Sequence, residues 1–367
     1  MFSWDTPAVV VDGDRLERNI REMAELAANH GKRLRPMFKT HKSLEIAARQ
    51  AAAGAVGFLA AKLGEAEVLA AAGFTDVTLA YPLLGEAKYQ RLQALVETAG
   101  ARVTLSFDSR EPGQRLGGWL AERGHCLPFL VIVEVGLGRL GVTAGRPAAE
   151  LAASLQAEPG LEFVGFASHS GHAYGASSPQ ALAEIARREA GLMAETVAAA
   201  RALGLVPKTV AVGSTPTVRY SALLEGITEL RPGNYVFNDF TQVALGVVPE
   251  EDCALTIRAT VLSRPATDRA VIDAGSKTLS SDLGPHSSPL IKGYGRIIGH
   301  PGAVIERVSE EVGIVRLPVD SPLAPGDVIT IIPNHSCSVA NLHDRLLMVR
   351  EGRSDGELTV AARGRVR

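Results

Sequence analysis

Residues 75–123 read TDVTLAYPLLGEAKYQRLQALVETAGARVTLSFDSREPGQRLGGWLAER. Two short apolar or β-branched runs in this stretch, 75–79 and 103–107, are each followed by a longer helical pattern, 85–98 and 111–123. A strand followed by a helix, repeated, is the rhythm of a parallel sheet covered by helices. Toward the N-terminus, residues 8–11 form a strand candidate ahead of a helix over 14–30, where Leu16, Ile20, Met23 and Ala27 recur at helical spacing and Asp14 is placed to cap. Toward the C-terminus, strands at 130–134, 163–167 and 209–212 precede helices near 148–156 and 179–203 and a further turn. About eight such units fit before residue 240. An open doubly wound sheet also satisfies the alternation, but that number of units in this length favours a closed (β/α)8 TIM barrel.

Beyond Val243 helical patterns become rare, and short strand candidates appear at 254–263, 269–273, 313–317, 328–332, 346–350 and 357–361 with turn residues between them. The expected architecture is therefore α/β: a barrel over residues 1–245 and an all-β domain over 246–367.

The chain has 367 residues, 46% of them hydrophobic, enough to bury a substantial core. Its formal net charge of −2 comes from 38 basic and 40 acidic residues with no long block of one sign. That argues against nucleic acid or an anionic membrane as a partner and for a small molecule. Residues 1–7 contain no basic region leading into an apolar core, so no secretory leader is read and a cytoplasmic protein is expected. The longest apolar runs fall short of the ~20 residues that span a bilayer. Three cysteines, Cys126, Cys253 and Cys337, are too few and too scattered for a disulfide framework.

Barrel enzymes carry their chemistry at the C-terminal ends of the strands. The first such end offers Arg35-Pro36-Met37-Phe38-Lys39-Thr40-His41-Lys42. A lysine in an apolar setting there loses its proton more readily, as Schiff-base chemistry requires; the alternative is a solvated turn at a helix start. The seventh and eighth ends carry Gly213-Ser214-Thr215-Pro216-Thr217 and Arg231-Pro232-Gly233-Asn234-Tyr235. Glycines and small hydroxyl residues at this position of a barrel form a phosphate cradle, although such a string alone is more often an ordinary turn. In the β domain, strand 328–332 runs into Pro333-Asn334-His335-Ser336-Cys337. If the backbone stays extended, His335 and Cys337 project to one side and converge on one ion. One nitrogen and one sulfur ligand favour zinc, with positions left open for water or substrate. Otherwise the cysteine is a small buried hydrophobe.

With these segments in view, the chain resembles the D-threonine aldolase and D-serine dehydratase family, whose members share the barrel of alanine racemase. The resemblance runs from Asp5-Thr6-Pro7 to Ala361-Ala362-Arg363-Gly364. It rests on Lys39-Thr40-His41-Lys42, the run 134–142 (EVGLGRLGV), the run 168–175 (SHSGHAYG), Gly213-Ser214-Thr215-Pro216-Thr217, Ile272-Asp273-Ala274-Gly275-Ser276-Lys277, and Pro333-Asn334-His335-Ser336-Cys337 with Asn341-Leu342-His343-Asp344.

The resemblance implies that Lys39 carries pyridoxal 5'-phosphate as a Schiff base and that the loop 213–217, with Gly213, Ser214, Thr215 and Thr217, holds its phosphate together with Gly233 and Tyr235. It further implies that Arg139 and the segment 168–174, including His169 and Tyr174, line the pocket, with His169 and Tyr174 beside Lys39 in catalysis. His335 and Cys337 would bind a divalent metal, zinc ahead of manganese or magnesium, and the protein would be a homodimer acting on β-hydroxy D-amino acids. Two positions depart from the family pattern: Met37 stands where histidine is usual, and Glu310-Glu311-Val312-Gly313 replaces Glu-Glu-His-Gly. Cysteine at position 337 is the dehydratase-like choice and aspartate the aldolase-like one, so dehydration with deamination is preferred to retro-aldol cleavage. An amino-acid racemase or a non-catalytic carrier of the cofactor would need no His-x-Cys pair.

Overall fold

The computed structural model describes residues 5–285 and 290–367. Residues 1–4, part of the opening stretch read above for a leader, lie outside the described residues. Eight parallel strands, Arg33–Leu34, Phe58–Ala60, Asp76–Leu79, Arg102–Phe107, Leu127–Glu134, Leu161–Ala167, Thr209–Val212 and Glu229–Leu230, neighbour one another in chain order. Closure occurs at the first. Leu230 O accepts from Arg35 N on one side, while Leu34 O and Pro36 O accept from Val56 N and Leu59 N on the other, each at 2.9 Å. Met37 completes this seam by pairing with Leu59. The sheet is therefore the closed (β/α)8 barrel rather than the open alternative, which would leave two bare edges.

The helices bury the stripes that their spacing predicts: Leu16, Ile20, Met23 and Ala27 all face the core from helix Gly13–Asn29. Its cap is Asp12 and not Asp14, because the Asp12 carboxylate accepts from Asp14 N and Arg15 N. Gly13 tolerates the first helical position, which moves the start one residue ahead of the expected one. Phe107, Phe129, Phe163 and Phe166 stack in tilted and edge-on pairs in the apolar core.

The barrel interior is different. Alternate strand residues point inward, and here many are polar, including Thr78, Thr104 and Ser106. The apolar filling is the small cluster Leu130, Ala167 and Ala211 with Val164 against it. It separates a cavity at the C-terminal ends of the strands from a second one at their N-terminal ends.

The C-terminal residues form an antiparallel closed barrel. Leu255–Ala266 pairs with both Arg269–Ile272 and Val328–Ile332, and the ring runs on through Gly313–Arg316, Val304–Val308 and Arg296–Ile297. The strand Ala8–Asp12 does not belong to the parallel barrel. It pairs antiparallel with Leu255–Ala266 and parallel with Arg345–Arg350, so the start of the chain is stitched into the β domain. Among the described residues, no helix is long and apolar enough to cross a membrane.

Candidate active site

The cavity at the C-terminal ends of the strands has a volume of ≈ 340 Å³ and is walled by residues of both domains. Lys39 enters it from the short 3-10 helix Phe38–Thr40 that follows the first barrel strand. Lys42 does not compete for this role: its backbone is left-handed, with φ 52°, and its ammonium is buried against Asn341 Oδ1 at 2.6 Å and Glu65 at 3.6 Å. Between them, His41 is fully buried, bonded to Gln50, and Gln50 in turn donates to Tyr235 Oη at 2.9 Å. Burial holds the His41 imidazole down to about 4 despite its bonds to Gln50 and Ser43, so it is neutral at physiological pH.

Gly213, Ser214, Thr215 and Gly233 line the same cavity as Lys39. Gly213 has φ +130°, a region that excludes ordinary side chains. A Cβ on Gly233 would meet Thr40 Oγ1 at 2.7 Å and Met37 Cβ at 3.0 Å. Both glycines are thus required for backbone to approach the cavity closely. Among the described residues, Thr217 and Tyr235 are not part of the cavity wall. Thr217 Oγ1 lies 3.1 Å from both Ser214 Oγ and Ser170 Oγ, and Tyr235 N donates to Thr215 Oγ1 at 3.2 Å. They support the loop from behind. Ser168 and Ser170 in turn donate to Glu189, buried on helix Pro179–Ala202, whose carboxyl burial pushes up to about 6.

His169, Tyr174 and Arg139 also face the cavity. His169 Nδ1 donates to Gly213 O at 3.0 Å, which fixes the tautomer and makes Nε2 the acceptor nitrogen of the neutral ring. Burial, with the negative groups Cys337 and Asp239 nearby, raises the Tyr174 phenol well above its ordinary range, and Thr215 and Gln242 bond its hydroxyl. Tyr174 is accordingly a neutral donor. Arg139 leans over the Tyr81 ring, 5.4 Å from its centroid, at the end of a glycine-rich turn wrapped around Glu134.

His335 and Cys337 reach the same cavity from the β domain. The backbone between them is not extended throughout, as the sequence argument supposed: His335 caps helix Ser336–Leu342, and Cys337 is its second residue. The strand-to-helix turn brings the two side chains together instead. Asp282 Oδ2 accepts from His335 Nδ1 at 2.6 Å and from Ser338 Oγ at 2.9 Å, so Nε2 is the ring nitrogen that could coordinate an ion. Burial opposes the imidazolium, yet the Cys337 and Asp282 charges prevail and raise His335 to about 10. Burial likewise pushes the Cys337 thiol up, but His335, Lys39 and Thr40 outweigh it and favour thiolate. A thiolate and an oriented imidazole on one wall are a donor set that fits a zinc-class ion. Among the described residues, no group of three or more His, Cys, Asp or Glu is arranged to hold a metal, so the pair is not a closed structural site.

Three groups at this site had no assigned role in the sequence. Arg231 follows the eighth strand, and its buried Nη2 has no aligned partner although Glu229 lies 3.0 Å away. Asp282 acts through His335, distant in sequence, and Asn234 Nδ2 bonds both the nearby Asp239 at 2.6 Å and the distant Ser336 Oγ at 2.9 Å. Position after a barrel strand was the one available signal for Arg231; Asp282 carried none. Of the two departures, Met37 lines the cavity, whereas Val312 lies in the turn joining Val304–Val308 to Gly313–Arg316, away from the wall formed by described residues.

Comparison with known proteins accords with this geometry. A model of the alanine racemase N-terminal domain matches residues 11–239, and one of a putative serine dehydratase domain matches 254–349. The chain is 34% identical to D-threo-3-hydroxyaspartate dehydratase of Delftia sp. (strain HT23), covering 92% of each chain. It is 32% identical to D-threonine aldolase of Arthrobacter sp., over 98% of this chain and 93% of that one. The crystal structure of D-threonine aldolase from Filomicrobium marinum superposes with a TM-score of 0.91 at 34% identity, over 99% of this chain and 96% of that one. The chain therefore belongs to the family of alanine-racemase-like enzymes that join this barrel to a serine dehydratase domain, and it is a pyridoxal-phosphate-dependent lyase of the D-serine dehydratase and D-threonine aldolase type.

Proposed function

We propose that the protein dehydrates and deaminates β-hydroxy D-amino acids, with zinc at His335 and Cys337. The observation that carries this reading is the placement of Lys39, His335 and Cys337 on one cavity of ≈ 340 Å³. Pyridoxal phosphate held there supplies an electron sink for bond breaking at the substrate α-carbon. Lys39 would bear it, and Gly213, Ser214, Thr215 and Gly233 would surround its phosphate, with Thr217 and Tyr235 fixing that loop. In this reading the Lys39 amine takes the α-proton, His169 and Tyr174 assist from the wall of the same cavity, and Arg139, also on that wall, supplies a cation for the substrate carboxylate. A soft ligand pair selects zinc over manganese or magnesium, and zinc there supplies a Lewis acid for the β-hydroxyl. A homodimer in the cytoplasm is part of the same reading.

Retro-aldol cleavage is the competing reaction, favoured by the likeness to D-threonine aldolase over nearly the whole chain. Incubation of the holoenzyme with D-serine, D-threonine and D-threo-3-hydroxyaspartate separates the two. We expect a 2-oxo acid and ammonia; glycine and an aldehyde as the main products would replace dehydration by aldol cleavage.

A further inference from the structure

Glu189 is a buried carboxyl, 1% exposed, that no step of the proposed reaction uses. Helix Pro179–Ala202 carries it, and its side-chain partners are two serines: Ser168 Oγ lies 2.7 Å from Oε1 and Ser170 Oγ 3.0 Å from Oε2. From Ser170 a row of hydroxyls continues to the cavity. Ser170 Oγ is 3.1 Å from Thr217 Oγ1, Thr217 Oγ1 is 3.1 Å from Ser214 Oγ, and Ser214 lines the cavity wall. All three hydroxyl residues are buried, so each hydrogen has to find its acceptor within the protein or in the cavity.

A hydroxyl has one hydrogen to give, so the charge on Glu189 decides which way the row points. An ionised carboxylate only accepts. It takes the Ser170 hydrogen, Ser170 then accepts from Thr217 and Thr217 from Ser214, and the row turns lone pairs toward the cavity. A protonated carboxyl donates from Oε2 to Ser170 and reverses the row: Ser170 donates to Thr217, Thr217 to Ser214, and the Ser214 hydrogen is released toward the cavity. Ser168 donates to Oε1 in both states. The backbone acceptors beside the row, Ser170 O for Ser214 and Ser214 O for Thr217, are longer at 3.3 Å. Lone pairs at the wall oppose an anion, whereas a hydroxyl hydrogen there holds one.

We propose that Glu189 is a positioning residue for the cofactor phosphate: in its protonated form it heads the row Ser170, Thr217 and Ser214, so that phosphate binding takes up one proton from solvent. This rests on the reading of the loop 213–217 as the phosphate cradle. Burial, opposed by bonds from Ser168, Ser170 and the backbone of Gly213 and Ser170, already raises the carboxyl to about 6, and a dianion beyond Ser214 raises it further. The loop 213–217 carries no titratable side chain. On the segment 168–175 these are His169, bonded to Gly213 O, with His172 and Tyr174. Arg188, next to Glu189 on its own helix, acts on His172. On the helices packed alongside, Arg219 pairs with Glu22 at 3.4 Å, near Tyr220, and Arg146 with Glu150 at 2.7 Å.

Above pH 6 the free protein holds Glu189 ionised and gains a proton on binding, so wild-type affinity falls as pH rises. Glu189→Gln takes up none, because its amide keeps an acceptor for Ser168 and a permanent donor for Ser170. The test is the dissociation constant of pyridoxal phosphate between about pH 5.5 and 8, read by absorbance on the whole chain stripped of cofactor. The cofactor's own titration is common to all variants and cancels in their ratio. We expect wild type to weaken relative to Glu189→Gln by up to about tenfold per pH unit above pH 6. Ser170→Ala, which breaks the row, should have a flatter profile than wild type. Pyridoxal, which lacks the phosphate, should bind wild type and Glu189→Gln with a ratio that does not change with pH. A pH-independent ratio for pyridoxal phosphate, the same trend with pyridoxal, or a Ser170→Ala profile as steep as wild type overturns the proposal. Ser214→Ala separates the two readings: unchanged cofactor affinity there removes the cradle and this proposal with it, whereas lost affinity beside a flat Glu189→Gln ratio removes this proposal alone.

Discussion

Lys39 and Lys42 leave the same strand end three positions apart, and only their partners distinguish them. Lys42 is neutralised by Glu65 and held by Asn341, whereas Lys39 faces the cavity. Borohydride reduction of the cofactor-loaded protein, followed by peptide mapping, should therefore place the pyridoxyl group on Lys39; recovery on Lys42 would show that the buried pair opens. The hydroxyls of the loop 213–217 separate in the same way. Ser214 borders the cavity, while Thr217, off the wall formed by the described residues, bonds Ser214 from behind. Ser214→Ala should lower cofactor affinity by roughly 1.5–3 kcal/mol, the cost of one hydrogen bond to a charged group, and Thr217→Ala by less. Equal effects on the measured cofactor dissociation constant would mean that both touch the phosphate. Lysine, loop glycines and the His-x-Cys pair were legible because each sits in a short local string. Asp282 was not, because its role exists only through His335, 53 residues later, and a local pattern does not carry such a distance.

At the level of elements, the turn after Lys39 is tied to helix Leu44–Ala52 by His41, which bonds Gln50 and, through it, Tyr235. His41 is held down to about 4, below its unfolded value near 6.5. The unfolded chain binds the proton more readily, so this histidine's effect on stability is fully expressed above pH 6.5 and is lost as pH falls toward 4. The shift corresponds to about 3 kcal/mol. Denaturant unfolding of the wild type and His41→Asn should show the stability difference moving against the wild type by about that amount across this window; a constant difference would mean that the ring is protonated in the folded state. Helix Gly13–Asn29 offers a second check. Asp12→Ala removes its cap and should cost about 1 kcal/mol, while Asp14→Ala, away from the capping position, should cost less. The long strands and helices were readable from periodicity, but Arg33–Leu34 and Glu229–Leu230 are two residues each. A pattern of period two needs more than two residues, so the sequence placed these strand ends by the motifs that follow them, and barrel closure gives their pairing.

Over the whole molecule, the change of texture near Val243 revealed two kinds of architecture, but not how the chain joins them. Ala8–Asp12 has the same local pattern as a barrel strand, and its place between Leu255–Ala266 and Arg345–Arg350 depends on partners at the other end of the chain. The same joining divides the chemistry. The barrel contributes Lys39 and the loop 213–217, and the β domain contributes His335 and Cys337, so in the proposed reading cofactor retention and metal binding are separable. Exhaustive chelation should therefore abolish turnover of β-hydroxy D-amino acids while leaving the cofactor absorbance nearly intact. Cys337→Ala should reproduce that result without a chelator, because it removes the sulfur that lines the cavity among the described residues. Cys337→Asp should restore activity with manganese in preference to zinc, since a carboxylate favours a harder ion than a thiolate does. The Asp282 to His335 bond would still orient the imidazole in that variant, which isolates the change to one donor atom. Metal analysis that finds no stoichiometric ion in active protein, together with turnover that survives chelation, would remove the metal from the reaction and leave Lys39, His169 and Tyr174 to act alone.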